Sequence, residues 1–260
     1  MQRISLCFIM FALIGILHGR YNKKSLNWDY LQLKLAWPPS YCSEYPCKLP
    51  PKLSRFIIRG FWPTVWPYRP QTNCSYHGEF DILSLMAIRT EMDYAWPNLT
   101  DYKNSKLMWA TEWRLHGQCA VDDRAIFHQL GYFNYSISLK NRINLLDKLK
   151  SYGIIPQSTA LIGKAQIMYI LQSAYGMPVA LKCRPFKQAR PKYEYIQNGD
   201  KFKLAAINRD YQEKLFYQLD EVIFCFNVNL TIISCPFSEQ QLTNKCPDVF
   251  IFNDYSKRTQ

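Results

Sequence analysis

Apolar positions along the chain change period several times, and each change marks an element. Across residues 28–35, Leu31, Leu33 and Leu35 alternate with Gln32 and Lys34, the two-residue period of a half-buried strand. Trp37, Pro38 and Pro39 end it. Cys42 and Cys47 then bracket a short loop, close enough in sequence to pair with each other. Residues 56–63 carry the β-branched Ile57 and Ile58 and read as a second, buried strand. Arg59 stands at its end before Gly60, where the backbone can turn, and Trp62, Trp66 and Tyr68 follow in a proline-rich loop. Residues 81–94 are apolar at roughly helical spacing until Trp96 and Pro97. Residues 106–115, 126–135, 143–152 and 159–175 read as further helices, the last two stopping at Gly153 and Gly176. Beyond them the pattern returns to strands: 179–183, then 215–226 and 230–235 as a hairpin around Asn227-Val228-Asn229. Helices and strands segregated in this way predict an α+β fold.

Composition narrows the class. The chain has 260 residues and is 48% hydrophobic, enough for one sizeable core and too apolar for a disordered chain. No repeat, low-complexity run or linker divides it, so residues 20–260 are expected to form one domain. Residues 1–19 read as a secretory signal peptide, with Arg3, an apolar run over 6–17 and the small Gly19. No second long apolar stretch follows, so the mature protein is expected to be exported, extracellular and monomeric, with no membrane attachment. The formal net charge of +12 points to anionic partners, among them nucleic acid. Apart from Cys7 in the leader, the cysteines are Cys42, Cys47, Cys74, Cys119, Cys183, Cys225, Cys235 and Cys246, an even set that suggests four disulfides. The chain has no C-x-x-C pair and only four histidines, which argues against a zinc cluster, and no metal or cofactor is expected. Sequons at Asn73, Asn98, Asn134 and Asn229 fit a glycosylated surface.

The chemistry concentrates in WATEWRLHGQC, residues 109–119. Glu112 and His116 are spaced i, i+4 and share one helix face, and Gly117 reads as the helix stop. A carboxylate beside an imidazole can orient it and steady its charged form, which is what general acid–base catalysis needs. Arg59 with its neighbouring aromatics suits single-stranded RNA, whose bases stack on such rings.

Three segments, LKLAWPPSYC (33–42), FIIRGFWP (56–63) and WATEWRLHGQC, resemble in order and spacing the ribonuclease T2 patterns L-x-L-Q-W-P-x-S-Y-C, F-x-I-H-G-L-W-P and W-x-x-E-W-x-K-H-G-T-C. The style is similar to the plant branch. The resemblance implies a central antiparallel sheet flanked by helices, no metal, and the disulfides Cys42–Cys47, Cys74–Cys119, Cys183–Cys246 and Cys225–Cys235. It also implies RNA cleavage by the substrate's own 2′-hydroxyl, giving a 2′,3′-cyclic phosphate. His116 then takes the role of the base, Glu112 that of its support, and Trp62 that of a base-stacking residue. The chain departs from the pattern at four places. Arg59 stands where the H-G-L-W-P histidine belongs, Leu115 where the lysine belongs, Ala36 for Gln and Gln118 for Thr. A guanidinium binds phosphate well but does not give up its proton, and Arg114 lies about 100° around a helix from Leu115. Two classes of function follow: a weak secreted endoribonuclease with Arg59 as phosphate clamp, or an inactive RNA-binding, defence or storage protein on the same scaffold. His77 and His128 are the remaining imidazoles of the mature chain.

Overall fold

The structure, a computed structural model, describes residues 27–66, 69–72, 74, 77–121, 126–189, 192–198, 201–207 and 213–255. The leader at 1–19, Tyr68, Asn73 and residues 256–260 lie outside the described residues. The N-terminal part runs β1 (Tyr30–Ala36), α1 (Pro38–Tyr41), β2 (Ile57–Val65) and β3 (Arg69–Pro70). The helical middle comprises α2 (Arg89–Ala95), α3 (Lys106–Glu112), α4 (Gln129–Ile143) and α5 (Leu145–Ser151). Then come β4 (Gln157–Gly163), α6 (Lys164–Tyr175), β5 (Ala180–Ala189), β6 (Lys192–Asn198), β7 (Lys201–Ile207), β8 (Glu213–Phe226), β9 (Ile232–Ile233), α7 (Phe237–Asn244) and β10 (Val249–Phe252).

The architecture is α+β. Its main sheet has eight strands, ordered β3-β2-β1-β8-β10-β4, with β5 and β9 also paired to β8. The pairs β1–β2, β1–β8, β5–β8 and β4–β10 are antiparallel, whereas β8–β10 is parallel. One core lies between a sheet face and the helices. Leu31, Leu33 and Leu35 of β1, Phe61 of β2 and Phe224 and Phe226 of β8 meet Tyr132 and Phe133 of α4 and Ile167 and Leu171 of α6 there. Among the described residues no helix is long and apolar enough to cross a membrane. Disulfides join Cys42–Cys47, Cys74–Cys119, Cys183–Cys246 and Cys225–Cys235.

Several elements differ from what the periodicity predicts. Residues 159–163 belong to an edge strand, not to the helix that follows, because β10 gives them a hydrogen-bonding partner. β1 shows the expected alternation, but its polar face is buried as well: Gln32 is 0% and Lys34 6% exposed. The strand is central, flanked by β2 and β8, and Glu239 of α7 covers part of that face by accepting hydrogen bonds from Gln32 Nε2 (2.6 Å) and Tyr30 OH (2.7 Å). Long helix α4 extends past the expected end at Tyr135 to Ile143, where Asn144 takes a left-handed conformation, φ 44°, and starts α5 anew. Strands β6 and β7, the second half of β5, and α7 are not among the elements predicted above, although Tyr193 and Tyr195, then Phe202 and Leu204, alternate with charged residues on either side of Asn198-Gly199.

Candidate active site

Strand β2 does not turn at Gly60 but runs through it, with one irregularity. Lys34 pairs with Gly60 and Leu35 with Ile58, so Arg59 is an extra residue opposite β1. Such a bulge re-aims side chains. It lets Ile58 and Phe61 both face the core while Gly60 and Trp62 share the opposite face with Lys34 and Gln32. Glycine is required here because Trp62 folds back over it. A Cβ at position 60 would lie 2.3 Å from Trp62 Nε1. From α4, Tyr132 donates its hydroxyl to the Phe61 carbonyl at 2.7 Å and pins the strand.

The other half of the site comes from α3, which continues through a π-helical turn, Trp113–Gly117, into a last α-turn, Gln118–Ala120. Gly117 therefore does not stop the helix. Its role is space: a Cβ there would meet the Trp113 ring at 2.4 Å. Wide turns of this kind are common where side chains must be set for function. The two tryptophans of the motif are scaffold. Trp109 Nε1 donates to the Trp96 carbonyl (2.8 Å) and Trp113 Nε1 to the Gly78 carbonyl (3.1 Å). Cys119 bonds to Cys74 and so ties the end of this helix to the loop after β3.

Glu112 and His116 are both buried and are joined through Trp62. The indole Nε1 donates to Glu112 Oε2 at 2.9 Å, and its ring stacks on the His116 imidazole with centroids 4.7 Å apart and planes 26° apart. His116 Nδ1 lies 3.0 Å from the Gln71 carbonyl oxygen. A carbonyl only accepts, so Nδ1 carries the proton and Nε2 of the neutral ring is left bare, the form a general base needs. Burial pushes the imidazole pKa down, the Gln71 bond pulls it up, and the Lys34 charge lowers it further. Burial raises the Glu112 carboxyl to about 7, against the Trp62 hydrogen bond and the charges of Arg59 and Lys34.

That carboxyl makes the fold pH-sensitive. A carboxyl raised on folding costs stability as pH rises from about 4.5, its ordinary value, through about 7. Glu112→Gln keeps an acceptor for Trp62 and removes the buried charge. It is expected to raise the melting temperature at pH 8, by the equivalent of roughly 2–3 kcal/mol, and to change it little at pH 4. Thermal melts at the two values check this.

Arg59 is half-buried and lines a cavity of about 440 Å³ with Tyr41, Asn98, Met108, Thr111 and Glu112. Arg114 is exposed on the π-turn and Leu115 half-buried. Ala36 packs with Leu53, Ile57 and Leu99 and brings no polar atom. Gln118 accepts from the His77 backbone N–H at 3.1 Å, and His77 itself is exposed. His128 caps α4, accepting from Gly131 N at 2.8 Å. Asn98 stands in the cavity wall with Oδ1 accepting from Thr100, whereas Asn134 and Asn229 are exposed. Among the described residues no group of His, Cys, Asp and Glu is arranged to hold a metal ion. The sequence pattern missed three contributors: the Gln71 carbonyl, Tyr132, and Lys34, whose Nζ sits 4.0 Å from the centre of the Trp62 ring. Only Lys34 left a trace, as the charged residue on the polar face of an alternating strand.

Comparison with known proteins gives a consistent result. The ribonuclease T2 family matches residues 28–235. Ribonuclease Oy of Magallana gigas is 26% identical over 223 residues, 85% of this chain and 93% of its own length. Ribonuclease MC of Momordica charantia is 28% identical over 159 residues, 60% of this chain and 80% of its own. The likeness therefore extends beyond plant proteins. Among solved structures, ribonuclease MC1 from bitter gourd seeds superposes with a TM-score of 0.65 at 23% identity, covering 86% of this chain and 100% of that one. An RNase-related protein from Calystegia sepium gives 0.65 at 20%, covering 87% and 97%.

Proposed function

The chain belongs to the ribonuclease T2 family, and from that premise we propose that it is a secreted, monomeric endoribonuclease that cleaves single-stranded RNA by transphosphorylation to a 2′,3′-cyclic phosphate, slowly because Arg59 occupies the place of the acid histidine. The observation that carries this reading is the His116 ring, held by the Gln71 carbonyl in the tautomer that leaves Nε2 bare. Four disulfides belong to an oxidising compartment, which supports export.

Nε2 of His116 takes the 2′-hydroxyl proton as the 2′-oxygen bonds to phosphorus. The bond from phosphorus to the 5′-oxygen breaks, and that oxygen needs a proton. Arg59 binds the phosphate but does not donate. Glu112, held up to about 7 by burial, is protonated often enough near neutral pH to serve. DNA is refused because it lacks the attacking hydroxyl. Arg59 also provides some of the charge stabilisation that Leu115 does not.

This mechanism needs His116 neutral and Glu112 protonated. The rate is expected to rise with pH through an imidazole pKa below the usual 6.5 and to fall as pH passes about 7. A rate–pH profile on the oxidised protein tests it, with Glu112→Gln expected to lose the activity. A rate that climbs steadily through pH 8 excludes Glu112 as donor. A protein that binds RNA with a steep salt dependence yet never turns it over belongs to the second class, a retired enzyme. The guanidinium at position 59 is what favours that reading.

A further inference from the structure

Lys34 enters the site from the strand beside Arg59. The pairing of β1 with β2 sets Lys34 opposite Gly60 and Gln32 opposite Trp62. The absent side chain at Gly60 lets the indole lie down there, and the Lys34 ammonium ends 4.0 Å from its ring centre. That same indole is hydrogen-bonded to Glu112 and stacked on His116. At 6% exposure Lys34 is committed to the interior, unlike an ordinary surface lysine. Position 34 is the variable one in L-x-L-Q-W-P, so the resemblance assigns it no role.

We propose that Lys34 is a positioning residue of this site: buried against the Trp62 indole, it supplies the fixed positive charge beside Glu112 and His116 that the family pattern puts at the position of Leu115. The proposal rests on reading Glu112 and His116 as the proton-transfer pair.

Cation–π contact gains strength where the cation is desolvated, and here it fixes both the ring and the charge. Lys34 faces Glu221 of β8 and Glu239 of α7, which favour its charged form, and Lys182 of β5 and Arg59 of β2, which oppose it. Burial outweighs these and brings its pKa down to about 8, so the ammonium persists through the working range of the site. His116 in turn is surrounded by Lys34 from β1, the Gln71 carbonyl from the loop after β3, Trp62 from β2 and, on its own helix, Glu112 bonded to that Trp62. A positive charge there disfavours imidazolium and favours carboxylate. It keeps the base available at lower pH and stops the Glu112 carboxyl from rising further.

The test is an NMR titration of the histidine ring protons in the oxidised full chain, with His116→Ala identifying the His116 signal. Lys34→Met keeps an unbranched side chain on the indole and removes the charge. His116 is expected to titrate at higher pH than in the parent, and both limbs of the rate–pH profile are expected to move up with it. Lys34→Arg is expected to restore the parental titration, and Leu115→Lys added to Lys34→Met is expected to bring it back down. A merely structural lysine would leave the His116 titration in place once the fold is kept, as judged by unchanged His77 and His128 signals, and that result overturns the proposal. Should Lys34→Met fail to fold, the parent decides. Its Trp62 indole N–H resonance is expected to show two steps, one near pH 7 from the Glu112 carboxyl it bonds and a second near pH 8 as Lys34 loses its proton, and a Glu112 step alone overturns the proposal. Loss of cleavage in every form, with these titrations as expected, would count against the enzymatic reading alone.

Discussion

Arg59→His is expected to raise the rate of RNA cleavage on the acid side of neutrality by up to about 10²–10⁴-fold, the range a positioned general acid contributes, less what Glu112 already supplies in the parent. A guanidinium at position 59 keeps its proton at the moment the 5′-oxygen leaves. An imidazole, titrating near about 6.5, gives its proton up and regains it within each turnover. The backbone needs no change to accept the substitution. Residue 59 is the bulged position of β2, half-buried in the wall of the cavity that also contains Glu112, and histidine is the smaller side chain. Removing the arginine also removes a positive charge that lowers the Glu112 pKa. In the variant Glu112 therefore stays protonated to higher pH. Rates measured on one oligoribonucleotide, parent beside variant, check the gain. No gain at any pH would mean that Leu115 or Ala36 limits the site instead.

His116→Ala is expected to lower cleavage by about 10²–10⁴-fold in the parent, and by a similar factor in Arg59→His. On the proposed mechanism the ring is the base in both, so its loss is felt whichever group supplies the acid. Truncation also removes the stacking partner of Trp62 and leaves the Gln71 carbonyl without its donor. A purely structural explanation is separated by the melting temperature and by RNA affinity at low salt. Affinity is expected to be largely retained, because phosphate contacts dominate it. Cleavage that survives the substitution undiminished would belong to another site or another protein.

How much of this was legible in the sequence differs by element. Where the apolar period was long and the partner local, as in residues 145–149 or the hairpin that pairs Cys225 with Ile233, pattern and structure agree. The edge strand β4 was not legible, because β10, far along the chain, decides that residues 159–163 are extended. Gly117 departs from its expected place as a helix stop for a related reason. Its glycine answers to the Trp113 ring, a packing demand, and the helix continues through a π-turn. The spacing of Glu112 and His116 suggests a direct pair on one helix face, but a π-turn lies between them and the group that connects them is Trp62, from a segment some fifty residues earlier. Lys34 shows the limit most clearly. Alternation assigns it to the polar face of a strand, and only the tertiary fold reveals that this face is closed by Trp62 and the residues around α7. Pairing among eight cysteines is likewise outside what spacing can give, since it depends on which strands and loops meet.

The most direct measurement is product analysis on an oligonucleotide that carries one ribonucleotide in an otherwise deoxyribonucleotide strand. The oxidised parent is expected to cut only after the ribonucleotide, slowly, leaving a 2′,3′-cyclic phosphate visible by mass, and His116→Ala is expected to leave the strand whole. An intact strand after exhaustive incubation with the parent, or cutting that continues when the ribose carries a 2′-O-methyl group, would contradict a His116-dependent transphosphorylation.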